Sequence, residues 1–340
     1  MNNLLDPAIL FFVFGLVAGA LRSNLEIPAQ FSKFLSLYLL MALGLKGGFA
    51  LSKTGFTHEV VISLALALLL AVSVPLLGYA VLRRFLNGYD AAALAATYGS
   101  VSAVTFITAV QVLDTRGIDY GGHMAAAMAL MESPAIVLAV MLANRTRQQE
   151  RTLRSTGVPP AAAAPGMGNA TAAGATPTLG HLLREALTDG AQLLLLGSML
   201  IGWMTGDIGS AAMQPFAGDL FKGMLAFFLL DMGLLAARNA GGLKGVSMWL
   251  PAYAVVAPLV HAGLALGLAR LADLSLGNAV LLMVLAASAS YIAVPAVVSR
   301  AIPEARPSLY FGMSLGLTFP LNILLGIPLY TAVAQRAFST

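Results

Sequence analysis

The chain has 340 residues, of which 59% are hydrophobic and only 10% charged, and its mean hydropathy is +0.84. Those values lie outside the range of soluble globular proteins and mark an integral membrane protein. The absence of cysteine excludes disulfides, thiolate metal sites and cysteine nucleophiles; a net charge of +4 offers no footprint for nucleic acid, because basic residues in a membrane protein chiefly report topology.

Apolar runs of about 20 residues without strict alternation read as helices rather than barrel strands. In chain order they fall near 7–21, 31–51, 60–82, 91–113 and 124–143, then near 190–205, 220–237, 246–269, 279–299 and 308–333. The start, "MNNLLDPAILFF", has neither a basic n-region nor a small-residue cleavage site, so the first run reads as a retained helix. Between the fifth and sixth runs the composition changes to the basic "NRTRQQERTLR" and then to "VPPAAAAPGMGNATAAGATPT". Small, Pro-rich sequence of this kind reads as a flexible linker. The expected division is therefore repeat 1 over 1–145, a linker over 146–189 and repeat 2 over 190–340.

The halves correspond. Gly44 falls on Gly233, Pro75 on Pro258, Asp90 on Asn278 and Pro134 on Pro320, and the serine pair in "TYGSVSAVTF" (Ser100, Ser102) falls on the pair in "AASASYIAVP" (Ser288, Ser290). Five helices is an odd number, so the second copy enters the membrane upside down relative to the first. The fold expected is an all-α membrane protein of ten transmembrane helices in two inverted five-helix repeats, with helices 4 and 9 broken at the serine pairs. Most of the 19 basic residues, among them Arg22, Arg83, Arg84, Arg145, Arg147, Arg300 and Arg306, then gather on one side. The positive-inside bias makes that side cytoplasmic and puts both termini outside.

Serines, glycines and proline at mid-span mark discontinuous helices, whose freed N–H groups need partners where water is absent. Half-helix N-termini carry partial positive charge and unpaired donors, so a pocket between them favours a small anion. Glu132 and Asp231 each cost about 2.5–3.5 kcal/mol at mid-helix, which is tolerable if they face a cavity and hold a cation or proton. Thr318 and Asn322 flank Pro320, which frees a carbonyl, and could join them as oxygen ligands; such a set suits Na⁺, with H⁺ as the alternative. Lys46, near the end of its span, reads as a snorkelling side chain.

The segments "LLMALGLKGG", "YGSVSAVTFITA", "MALMESPAI" and "ASASYIAVPA" together resemble the sodium-dependent bicarbonate transporter family of cyanobacteria and other bacteria, over residues 5–145 and 185–335. The resemblance implies a trimeric inner-membrane symporter with a core and a gate domain, importing bicarbonate with Na⁺ as coupling ion and using no organic cofactor. It places the bicarbonate site where the broken helices cross, on Ser100, Ser102, Thr105, Ser288 and Ser290. The sodium set read from the residues is Glu132, Asp231, Thr318 and Asn322. It also implies a PII-like, nucleotide-sensing cytoplasmic partner, although the Ala/Pro/Gly run of the linker shows no recognisable docking motif.

Other readings fit a similar plan: a transporter of another small or organic anion, or a cation/proton antiporter. "GMSLG", Gly312 to Gly316, also spells the G-x-S-x-G nucleophile pattern, with His261 as a candidate base for an intramembrane serine hydrolase. That pattern needs a strand-to-helix elbow, whereas here it lies in a helical run and doubles as a small-residue packing face, like Gly15/Gly19 and Gly44/Gly48.

Overall fold

The computed structural model describes residues 6–156, 189–239 and 247–339, and among these it is helical with no strand. The helices are α1 (Pro7–Ala20), α2 (Ala29–Thr54), α3 (His58–Leu82), α4 (Gly88–Gly99), α5 (Ala103–Arg116), α6 (Met124–Thr156), α7 (Gly190–Met213), α8 (Phe221–Asn239), α9 (Trp249–Leu271), α10 (Leu276–Ala287) and α11 (Ala293–Ala301). A last helical stretch, α12, runs over Pro307–Phe338. Seven stretches among the described residues are long and apolar enough to cross a membrane, one of them the 50-residue run Gly190–Asn239 that contains both α7 and α8; Pro7–Ala20 and Leu276–Ala287 are shorter apolar helices. The protein is an all-α, multi-pass membrane protein.

Local chemistry sets several boundaries. Asp6 caps α1, its Oδ1 accepting from Ala8 N at 2.8 Å, and Pro7 occupies the first helical position, where a missing N–H costs nothing. Asn87 caps α4 by accepting from the N–H groups of Tyr89 and Asp90. At the far end of α5, Gly117 adopts φ +62°, a left-handed geometry that glycine enters without strain.

Two differences from the sequence reading concern helix length. The stretch expected to be linker from 146 is helical to Thr156, because "RTRQQERTLRST" contains good helix formers and no glycine or proline before Gly157; the remainder, 157–188, lies outside the described residues. The sixth run, expected to end near 205, continues to Met213 across a kink at Gly206, whose φ of +52° breaks the helical course.

The helices sort into two bodies. In one, α1 packs along α8 and α2 along α7. Glycines allow this: a Cβ on Gly15 would collide with the Leu230 carbonyl oxygen, one on Gly44 with that of Leu195, and one on Gly48 with that of Met199. Backbones that approach so closely gain the dispersion contacts that replace the hydrophobic drive inside a bilayer. The other body joins α3, α4 and α6, and packs α10 against α9, α5 and α12. The stretch Gly88–Arg116, which comprises α4 and α5, is 94% buried over its apolar window, against 39% for α3 and α9. Lipid-facing helices enclose a broken helix that sees only protein.

Candidate functional site

The two breaks lie against each other. α4 stops at Gly99 and α5 restarts at Ala103, while α10 stops at Ala287 and α11 restarts at Ala293. Across the crossing, Ser290 N donates to Thr97 O at 2.8 Å and Ser102 N donates to Ser288 Oγ at 3.0 Å. The second break thus serves both ends of the first, giving Thr97 O near the end of α4 a donor and Ser102 N before α5 an acceptor, and so satisfies backbone groups that cannot reach water.

The hydroxyl groups then divide by role. Ser102 Oγ accepts from Thr105 N at 3.2 Å and from Thr105 Oγ1 at 3.0 Å, capping α5. Ser290 Oγ accepts from Val294 N at 3.3 Å in the first turn of α11. Ser290 Oγ, which only accepts, still has its own proton to give, while the Ser102 hydroxyl also meets the Tyr291 hydroxyl. Ser288 is different: its Oγ donates to Leu285 O at 2.9 Å while accepting from Ser102 N, so it is a strut between the breaks. Ser100 Oγ is buried without a hydrogen-bond partner.

A cavity of about 250 Å³ reaches this crossing. Ser102, Ala103 and Val104 line it from the start of α5, and Ser290, Ile292 and Ala293 from the start of α11, with Glu132, Gln192, Asp189 and Arg300 further out. Of the five residues expected to hold the anion, Ser102 and Ser290 therefore face the cavity; Ser100, Thr105 and Ser288 are buried beside it and do not line it. The side chains expected to hold Na⁺ are dispersed. Glu132 is in the cavity, where Oε2 accepts from Gln192 Nε2 at 2.8 Å. Asp231 is buried on α8 with Oδ2 unpartnered. Thr318 Oγ1 donates to Ala254 O at 2.8 Å and meets Tyr98 OH at 2.6 Å. Asn322 donates to Ala287 O, the last carbonyl of α10, at 2.9 Å and accepts from Tyr330 OH at 2.9 Å. Thr318 and Asn322 occupy π-helical turns on either side of Pro320, and their hydrogen bonds tie α12 to the other helices. No cluster of three or more His, Asp or Glu side chains able to hold a metal occurs among the described residues.

Gln192, Tyr291 and Arg300 also line the cavity, and residue-type reasoning passed over them. Gln192 was detectable in principle, since a carboxylate at Glu132 needs a donor and Gln192 is the amide within the sixth run. Lys46 does not merely snorkel: its Nζ lies 3.4 Å from Asp114 Oδ2 and 4.4 Å above the Phe221 ring centroid. Ser314 sits inside a helix with Oγ donating to Tyr310 O at 2.6 Å, so the G-x-S-x-G sequence forms no nucleophile elbow.

Two half-helix N-termini opening on one cavity suit an anion, and the whole sequence points the same way. The profile of the Na⁺-dependent bicarbonate transporter superfamily matches residues 7–335. The chain belongs to that superfamily. The match spans both halves and the intervening segment, so it covers the crossing, the cavity and every candidate site residue. Among curated proteins, none matches the chain significantly. Membership of a transporter superfamily implies a transport role, and the back-bonded Ser314 offers no activated nucleophile.

Proposed function

We propose that this member of the superfamily imports bicarbonate together with Na⁺ by alternating access. The observation that carries the reading is the cavity onto which the starts of α5 and α11 both open, flanked by the hydroxyls of Ser102 and Ser290. Helix N-termini supply oriented N–H donors and about half a positive charge each. Those groups are preorganised in a site without bulk water, so they attract a compact monoanion strongly. Of the two carboxylates lining the cavity, Glu132 and Asp189, the half-buried Glu132 is the one proposed to interact with the coupling cation, Asp189 being exposed.

Under this reading the chain crosses the membrane ten times as two inverted repeats, with both termini outside and the segment after α6 in the cytoplasm. Pairing supports it: exchanging the repeats turns the α1–α8 contact into the α7–α2 contact, and both are glycine-mediated. The body of α1, α2, α7 and α8 is then the scaffold, and the body with the broken helices carries the site. A homotrimer and a PII-like cytoplasmic partner, as the family resemblance implies, complete this reading. Uptake of radiolabelled bicarbonate by proteoliposomes, with and without an inward Na⁺ gradient, is the test. Accumulation only with the gradient is expected; gradient-independent equilibration, or uptake of other anions but not bicarbonate, overturns it.

A further inference from the structure

The crossing opens towards one end of the molecule. At the opposite end lies a second cavity of about 460 Å³, lined by Lys46, Gly47, Phe106, Asp114, Tyr120 and Gly122 among others, and none of the paired serines borders it. In the wall of this vestibule the two bodies meet at a junction that has two parts. The first is polar: Lys46 of α2 lies 3.4 Å from Asp114 of α5, while Tyr120 OH donates to Asp114 Oδ1 at 2.9 Å and holds that carboxylate in place. The ring of Phe221 under Lys46 belongs to α8, so the ammonium is held by its own body and reaches across to the other. The second is a backbone contact: a Cβ on Gly47 would come 2.8 Å from Gly122 O, and one on Gly122 would strike the Gly47 carbonyl oxygen. Here α2 touches the loop before α6 with no side chain between them.

We infer that this junction is the latch of the outer gate, holding the two bodies together at this end while the crossing is open at the other, with Lys46–Asp114 as its charged part and Gly47–Gly122 as its point of closure. The inference rests on the alternating-access reading above. A path open to one end and shut at the other must be shut by contacts that can part, and both parts of the junction link bodies that would move relative to each other. An ion pair whose side chains are 27% and 33% exposed is weakly held, as a reversible latch requires. Glycine at both contact positions allows the bodies to meet backbone to backbone.

The test uses the absence of cysteine from the chain. Ala293→Cys places a thiol in the crossing cavity, and an impermeant thiol reagent is applied from the Lys46 side in intact cells or from the opposite side in inverted vesicles. In the parent, labelling should be slow from the Lys46 side and fast from the other. Asp114→Asn or Lys46→Met should speed labelling from the Lys46 side roughly 2- to 5-fold, as expected for losing an exposed pair. Gly122→Ala should speed it at least as much, and the swap Lys46→Asp with Asp114→Lys should restore slow labelling. Unchanged rates in Asp114→Asn, Lys46→Met and Gly122→Ala overturn the gate, as does fast labelling of the parent from the Lys46 side. Because labelling requires no bicarbonate or Na⁺ uptake, a failed uptake assay with gated labelling rejects the substrate assignment and leaves the gate standing.

Discussion

Asp90 and Asn278 do the same task in two different broken helices: each lies in the first turn and presents Oδ1 to a backbone N–H of the loop leading into a long helix, Arg306 N at 2.8 Å and Gly121 N at 2.7 Å. Their surroundings differ in charge. Asp90, fully buried, also accepts a hydrogen bond from Arg306 Nε at 2.9 Å with Nη2 in ion-pair contact at 2.8 Å, whereas Asn278 donates to Glu59 Oε1 at 2.9 Å. Asp90→Asn keeps the acceptor for Arg306 N but loses the charge-assisted bonds, which are worth about 1.5–3 kcal/mol. Asp90→Ala also orphans the Arg306 N–H and should cost more. Thermal unfolding of purified variants should rank wild type above Asp90→Asn above Asp90→Ala; equal midpoints would show that the contact does not hold α4 to α12.

At the same end, Arg147 grips Glu304 through two hydrogen bonds of 2.8 and 2.7 Å and reaches Ala301 O at 3.0 Å. Arg147 holds the Glu304 carboxyl below its ordinary value. Because the folded value is depressed, the stabilisation is complete above the unfolded value, near 4.5, and is lost as pH falls through the folded value. Glu304 is 37% exposed, so the pair is screened and worth only about 0.5–1 kcal/mol. Glu304→Gln should therefore be slightly less stable than wild type at neutral pH, and the difference should vanish in acid. A difference that grows on acidification would reverse the assignment.

Topology has a direct check. Thr57 lies between α2 and α3, and Ser247, just before α9, is at the corresponding place in the second half; both are exposed. In an inverted repeat these positions lie on opposite sides of the membrane, whereas a direct repeat puts them on the same side. An impermeant reagent applied to intact cells should label Thr57→Cys and spare Ser247→Cys. Labelling of both from outside contradicts the inverted arrangement.

Much of this molecule was legible in its sequence because a bilayer restricts the choices. Helix positions followed from apolar run length, and the breaks followed from Ser, Gly and Pro where backbone groups must find partners without water. Helix ends in water were less legible: α6 outran its apolar run because nothing in "RTRQQERTLR" stops a helix once the membrane is left behind. Side-chain direction was the least legible. Spacing placed Ser100, Ser102, Ser288 and Ser290 at the breaks, but Ser100 and Ser288 cap the ends of the helices before each break, whereas Ser102 and Ser290 cap the starts of the helices after it, and only those starts open on the cavity. Residue type alone likewise grouped Glu132 with Asp231, Thr318 and Asn322. The fold instead gives Glu132 to Gln192 and ties Thr318 and Asn322 into bonds between helices.

That dispersal makes the four polar residues separable. Glu132→Gln removes the charge from the cavity while keeping an oxygen near Gln192, and it should raise the Na⁺ concentration needed for half-maximal uptake roughly 10-fold or more, with little loss of folding. Asp231→Asn should change it less, because Asp231 does not line that cavity. Asn322→Ala should chiefly lower thermal stability, since it strips the cap from Ala287 O and the acceptor from Tyr330 OH. Titrating Na⁺ dependence of uptake in all three variants distinguishes the roles. An unchanged Na⁺ requirement in Glu132→Gln would return this carboxylate to a structural partnership with Gln192.

The serines give the sharpest comparison, because four similar hydroxyls sit in four different situations. If the anion is held between the starts of α5 and α11, the hydroxyls of Ser102 and Ser290 each donate a charge-assisted hydrogen bond. Removing one should weaken substrate binding by roughly 10- to 100-fold. Ser102 also caps α5, so alanine there confounds binding with folding; Ser102→Gly costs a cap only a few tenths of a kcal/mol and is the cleaner deletion. Ser102→Asp keeps the cap acceptor but puts fixed negative charge where the substrate's charge must sit, so it should fold and fail to bind. Ser100→Ala deletes a hydroxyl with no partner and no place in the cavity, and should leave affinity within about 3-fold while slightly raising stability. Ser288→Ala removes the acceptor for Ser102 N, and its loss should appear in thermal stability before it appears in affinity. Bicarbonate-dependent thermal stabilisation, measured on the purified variants alongside uptake, reads both quantities. Wild-type affinity in Ser102→Gly and Ser290→Ala, or loss of affinity in Ser100→Ala alone, would move the anion off the cavity side of the crossing.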